Sequence, residues 1–494
     1  MFAGTAGIGN AGNIQIRGTE AVELVGDSTD ISTTVFPTAM GKGGNIRVET
    51  RRLTLQDGAS ILAGTSGNGD AGTILLRASE SVELSGNSDI FATTLFADGF
   101  TPSAPGQGGN VTIETGRLYL TQYSTISAVT DTQGTGGTIA VPASESVQLY
   151  NGSRISVFTL GAGNAGSISV TAPEVELAGD FTLEDGRVRS SAFSAQSQGT
   201  GAAGDVRINA GRLIVRDGAQ VEAAAFDAGK GGTLTVIAEE VELSGTRADG
   251  TFSSLFASSE GSGAAGDVSI DTGRLIVRNG AVVSVSGIGS GDAGNLNINS
   301  DSVELNNDGF LGATTAAGDR GNIDLRSNSL ILRRGSNITT DAKGEATGGN
   351  ITLNTNVLAA LEDSDINANA EQSFGGQVRI NASAIFGTQF RAAPILDTPE
   401  SDITATSAAG PLFSVEVTIN TPDVDPSSGL IELPQNLVDV SGLIVEPCAA
   451  ARRGSSFVVT GRGGIPPEPR ESLSLNPLSV DWVTLPADRT ESPR

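Results

Sequence analysis

One six-residue phrase governs what this chain can become. A small residue, a glycine, a small polar residue and then aliphatic–any–aliphatic recur as AGNIQI, GGNIRV, AGTILL, GGNVTI and onward to GGQVRI. The phrase occurs thirteen times, with its glycine at Gly12, Gly44, Gly72, Gly109, Gly137, Gly166, Gly204, Gly232, Gly266, Gly294, Gly321, Gly349 and Gly376. Successive glycines stand 32, 28, 37, 28, 29, 38, 28, 34, 28, 27, 28 and 27 residues apart. A fixed period of this length marks a repeat architecture, in which each unit buries its apolar face only against its neighbours.

Within each unit the apolar residues alternate. A second segment reads like SVEL, at Val22, Val82, Val147, Val175, Val241 and Val303. In the other flavour it reads like RLTL, at Leu53, Leu118, Leu213, Leu275 and Leu330. A third segment follows, such as ASILAGT or STISAVT. Period two is the signature of a strand, and Gly, Asn, Asp and Ser punctuate the joints as turns require. Three short strands per unit predict an all-β parallel β-helix of about thirteen coils and three long sheets. Ile14, Ile16, Ile46, Val48, Ile323, Leu325, Ile351 and Leu353 are expected to face inward. The anchor glycines are expected at a sharp corner, through positive φ or close backbone approach. Asn295, Asn322 and Asn350 share one slot in consecutive units and predict an Asn ladder.

Composition bounds the rest. Only 17 Phe, 3 Tyr and 1 Trp occur, which suits a narrow aliphatic core. The formal charge of −26 argues against nucleic acid, whose phosphates need concentrated positive charge. No apolar run approaches the ~20 residues of a membrane helix. The first residues, MFAGTAGIGNAG, lack the charged and apolar regions of a signal peptide. Thirteen of the 18 prolines follow Phe390. The regular stack is therefore expected over residues 1–410, fading near Thr406. A terminal coil or cap is expected over 411–460 and an extended or disordered tail over 461–494.

These glycine-anchored repeats precede SGLIVEPCAAARRGSSFVVTGRGGIPPEP, residues 441–469. Together they resemble the large cyanobacterial exoproteins of the filamentous-haemagglutinin type, secreted by the two-partner route. The resemblance implies a right-handed β-helix and a secreted or cell-surface location. It also implies an adhesive role and export through a dedicated outer-membrane transporter as partner. Members carry an N-terminal secretion domain behind a signal peptide, and neither is visible here. The chain is accordingly read as the C-terminal portion of such a protein, or as a non-functional gene fragment.

No catalytic residue, cofactor or metal is expected. Without any His, a His base, a His ligand and a Ser–His–Asp triad are excluded. Glu23, Glu83, Glu242 and Glu304 recur at one slot and read as outward, solvated strand residues. Asp70 and Asp292 sit in GNGDAG and GSGDAG, yet the long unit does not match tandem calcium-binding nonapeptides. Cys448 reads as a structural thiol. Four units are expanded, with additions expected within or after the third segment, at 27–42, 95–107, 180–202 and 244–264. These carry Phe36, Phe100, Phe181 and Phe252, candidate ligand-facing rings whose alternative is inward packing. The leading expectation is a non-catalytic adhesin-like rod contacting glycan or matrix. The rival is a polysaccharide-active β-helix enzyme, marked by three or more carboxylates and an Arg converging beside the inserted loops.

Overall fold

The computed structural model describes residues 1–421, apart from residues 38, 68, 95–105, 132, 319–320, 393–397 and 416. The described residues fall in the compact unit Met1–Asp423. Phe100, Cys448, the 441–469 segment and the proline-rich tail lie outside them.

The unit is a parallel β-helix. Ile14 pairs with Ile46, and Ile46 with Ile74, as lateral neighbours in one parallel sheet. That sheet has 15 strands and a second has 14, both running coil to coil along the stack. Strand spacing of ~4.8 Å gives the thirteen coils a length of roughly 60 Å.

Three short strands per coil become two in the structure. The first and second segments fuse into one long strand, such as Ile46–Gln56 or Val206–Arg216. In Val206–Arg216 the buried residues are Val206, Ile208, Ala210, Leu213 and Val215. The odd step from Ala210 to Leu213 reverses the alternation, so the strand bends there and still points aliphatics inward on both arms. Gly211 occupies this bend, where a Cβ would lie 2.7 Å from the Pro173 carbonyl oxygen. The third segment forms the second sheet, as in Arg154–Thr159.

One continuous aliphatic core runs through the coils. Ile14, Ile46, Val48, Ile323, Leu325, Ile351 and Leu353 are buried, and Ile16 packs against the cluster from its edge. Each such burial contributes about 1.5–3 kcal/mol before chain entropy is counted. Phe193 is the one aromatic ring within the core among the described residues.

The anchor glycines form a spine. A Cβ at Gly44, Gly72, Gly137 or Gly232 would sit 1.9–2.0 Å from the carbonyl oxygen of the preceding anchor glycine, and at Gly204 only 1.5 Å from that of Gly166. Backbone touches backbone, so a side chain has no room. None of these glycines has positive φ. Of the two reasons expected for glycine here, close approach is the operative one. A second spine runs three residues earlier, through Gly41, Gly69, Gly134, Gly163, Gly201, Gly229, Gly263 and Gly291, with equally short approaches.

Positive φ belongs to the other corner, between the second and third segments. Asp57-Gly58, Asn151-Gly152, Asp217-Gly218 and Asn279-Gly280 all adopt it. Asn and Asp tolerate this conformation better than other L-residues.

The Asn ladder is present and longer than expected. Asn322 donates through Nδ2 to Asn295 Oδ1 at 2.9 Å, and Asn322 Oδ1 accepts from the Asn350 backbone N–H at 3.0 Å. The same slot bonds Asn13 to Asn45, Asn45 to Thr73, Asn110 to Thr138, Asp205 to Thr233 and Asp267 to Asn295. In each, a side-chain oxygen accepts from the backbone N–H of the following coil.

Stacking continues past Thr406 and past residue 410. Val417–Asn420 pairs with Val378–Phe386 and begins a fourteenth coil. Thr388–Phe390 folds over Ser401–Thr404 and takes the outer edge of the second sheet.

Candidate functional site

The alternation of SVEL and RLTL flavours is an alternation of charge across the outward face. Glu242 lies between Arg212 at 2.8 Å and Arg278 at 2.6 Å, each from a neighbouring coil. Burial pushes the Glu242 carboxyl up, but the hydrogen bond from Arg278 and the charges of both arginines outweigh it and hold it below its ordinary value. Glu304 pairs with Arg274 at 3.3 Å, and Glu176 with Arg216 at 2.9 Å. Glu23 and Glu83 are exposed on the same face. The recurring glutamates are thus outward strand residues, and Glu176, Glu242 and Glu304 are ion-paired to the coils beside them.

Asp70 is tied into the stack. It pairs with Lys42 at 2.8 Å and accepts from the Gln107 backbone N–H at 3.0 Å. The Lys42 hydrogen bond, then that of Gln107, lowers its pKa. No group of three His, Cys, Asp or Glu side chains suited to a metal ion occurs among the described residues.

The candidate aromatic rings do not converge. Phe36 is exposed and packs on Phe2, with ring centroids 5.9 Å apart. Phe252 is 51% exposed. The motif SSLF directs Leu255 inward and Phe256 outward, so the inward alternative fails for that Phe. Two expansions also fall elsewhere than expected. Those of 180–202 and 244–264 add residues before the third strand, at the positive-φ corner. There Asp180–Thr182 pairs antiparallel with Val188–Ser190, and Thr246 bridges Phe252.

The first of these hairpins builds a site. Phe181 packs against Tyr123 at a tilt of 49° with centroids 5.7 Å apart, and Arg189 lies over the Tyr123 ring, its Cζ 3.2 Å from the centroid. A cation so placed over a desolvated ring contributes about 2 kcal/mol. Arg189 is anchored by Nε donating to the Gly152 carbonyl at 2.7 Å and by a further bond to the Tyr123 carbonyl. Burial pushes its pKa down to about 10. Tyr123 itself holds φ at 67°, an uncommon state for a bulky residue.

This cluster walls a groove of about 640 Å³ on the outward face of the second sheet. Its floor is a row of small hydroxyls. Ser127, Ser156 and Ser194 are paired in register across three coils, and Ser156 donates to Ser127 at 3.1 Å. Phe91 stands at one end of this row and Glu222 at the other, the latter accepting from Gln196 Nε2 at 2.7 Å. Phe158 and Leu160 line one side. The charged lining consists of Asp89, Asp131, Arg154 and Arg189. Burial raises Asp89 to about 6, against the opposing pull of the Thr125 hydrogen bonds and Arg189.

Of the candidate rings named from sequence, Phe181 alone reaches this site, packing behind Tyr123 rather than lining the groove itself. The signal that would have found it is modest. The third segments TISAV, RISVF and AFSAQ carry Ser at one shared slot, and Tyr123, one of three tyrosines, sits in a turn. No family model, curated protein or solved structure matches the chain.

Proposed function

We propose that this chain is a non-catalytic, adhesin-like rod, secreted or displayed at the cell surface, whose work is reach and contact with glycan or matrix. Export by a two-partner outer-membrane transporter, through an N-terminal secretion domain, belongs to the same reading. The observation that carries it is the uninterrupted stack of thirteen coils locked by glycine spines and ladders. Such a scaffold holds side chains on fixed outward rows over a long distance. The excess negative charge keeps such a rod from self-association. Purified chain is expected to bind at least one surface in a panel of cells, immobilised glycans and matrix proteins. Failure against the whole panel rejects adhesion.

A polysaccharide-active enzyme is the second reading. Asp89, Asp131, Arg154 and Arg189 lining one groove beside an inserted hairpin favour it. Two carboxylates line the groove, and the third near it, Glu222 at the end of the serine row, is buried and bonded to Gln196. A carboxyl raised by burial suits a general acid. Release of reducing ends from soluble polysaccharides, lost in Asp89→Asn, would replace the adhesive reading with this one.

A further inference from the structure

We propose that the groove over Ser127, Ser156 and Ser194 binds an extended, uncharged oligosaccharide, one sugar ring per coil. This deepens the surface-contact reading and rests on it only for where the glycan comes from.

The floor is the first argument. Three serines in register, at ~4.8 Å per strand, place small hydroxyls at a spacing close to the length of one pyranose ring in an extended chain. The outward rows on either side carry Thr125 and Arg154 on one flank and Val129, Phe158 and Gln196 on the other, so Ser127 and Ser156 lie between larger side chains. The trough is closed at its ends by Phe91 and Glu222.

The second argument is the chemistry of the walls. Phe158 and Leu160 offer apolar faces to the C–H side of a sugar ring, while Gln196 offers an amide to its hydroxyls. Thr93, 3% exposed and lining the same groove, has a hydroxyl with no hydrogen-bond partner among the described residues. A buried hydroxyl left unpaired costs about 1–3 kcal/mol, and a ligand hydroxyl would recover it. The volume lies within the ~300–1,000 Å³ range of small-molecule sites.

Charge selects the class. Asp89 and Asp131 offset Arg154 and Arg189 along the lining, and Glu222 at the end of the trough is 6% exposed with its carboxylate held by Gln196, so the groove carries little local excess of either sign. A polyanion is repelled by the whole molecule, and a polycation, though attracted to the surface at large, finds no local excess in the groove to hold it there. An uncharged chain is indifferent to both.

The test is titration calorimetry of the full chain with cellotetraose, maltotetraose and xylotetraose, alongside tetragalacturonate and a chitosan tetramer. At least one neutral probe should bind. Phe158→Ala and Ser156→Leu, the latter filling the trough floor, should each weaken it by about tenfold. Phe36→Ser, an exposed ring far along the sequence, should leave it unchanged. Circular dichroism checks folding, and Gln196→Ala replaces any variant that fails to fold. The inference is overturned if no neutral probe binds, if the groove variants bind as well as the parent, or if a charged probe binds tenfold more tightly than any neutral one. Cell or matrix adhesion that persists in groove variants, with oligosaccharide binding lost, leaves both proposals standing at separate sites. Adhesion absent in the parent while oligosaccharide still binds rejects the rod reading alone.

Discussion

The two corners of each coil solve the same problem by opposite means. At the anchor corner, glycines press against the backbone of the coil below, and no atom is left over. At the corner between second and third segments, Asp-Gly and Asn-Gly pairs turn through positive φ, and several of their glycines lie against side chains of the neighbouring coil, Asp27 beside Gly58 and Arg247 beside Gly218. The first corner keeps its Gly-x-x-Gly spacing in eleven consecutive coils, from Gly9 and Gly12 to Gly318 and Gly321. The second admits hairpins, and one of them walls the groove. Rigidity and invention are thus segregated to different edges of one repeat.

Substitution separates the two most sharply at the glycines. Gly204→Ala forces a Cβ to 1.5 Å from the Gly166 carbonyl and is expected to cost about 3–5 kcal/mol. Gly218→Ala, at φ 79° and 2.8 Å from Arg247 Cβ, should cost about 1–2 kcal/mol. Gly7→Ala, with nothing within 4 Å, should cost less than about 0.5 kcal/mol. Urea unfolding of the three variants checks the order, and equal costs at Gly204 and Gly218 would dissolve the contrast.

Asp89 follows the second corner and tests its electrostatics. Its folded pKa, about 6, lies above the unfolded value. The native state therefore binds the extra proton between these values, and stability rises as pH falls through 6. Asp89→Asn should stabilise by about 1–2 kcal/mol at pH 8 and by almost nothing at about pH 3, below the unfolded pKa. A pH-independent effect would place the cause in packing.

A smaller effect than that of Asp89 belongs to the charged row leading into that corner. Glu242→Gln should destabilise by about 0.5–1 kcal/mol at pH 7 in low salt, less in high salt. The folded pKa of Glu242 is depressed, so its contribution is present above the unfolded pKa and lost as pH falls through the folded one. Unfolding at pH 7 and pH 3 with and without salt measures it.

The stack was legible because period and spacing are backbone properties. Ile14, Ile46 and Ile74 can be aligned from their glycines alone, and their partnership follows. The bend that fuses the first two segments was not legible, since the odd step from Ala210 to Leu213 looks like a loop between separate strands. The second glycine spine lay in plain view three residues before the first, hidden by variation at the positions between. The groove was least visible. Its floor is serine, the least distinctive residue of a turn-rich sequence, and its wall depends on how Tyr123, Phe181 and Arg189 meet across three segments. Phe36 and Phe252 attracted notice as rings in expansions, but a ring becomes part of a site only through what it meets.

The ladder of Asn, Asp and Thr has a direction. Its Asn and Asp oxygens accept from the following coil, while the Thr73 and Thr138 hydroxyls and the Asn295 and Asn322 amides donate back to the coil before. Along this row the two faces of a coil are therefore unlike, one offering side-chain acceptors and the other donors. Two such stacks meeting at like faces would oppose oxygen to oxygen or amide to amide. Only head-to-tail docking satisfies both, so any growth of this scaffold, by gene duplication or by association, is polar in the sense that a magnet or a filament is polar.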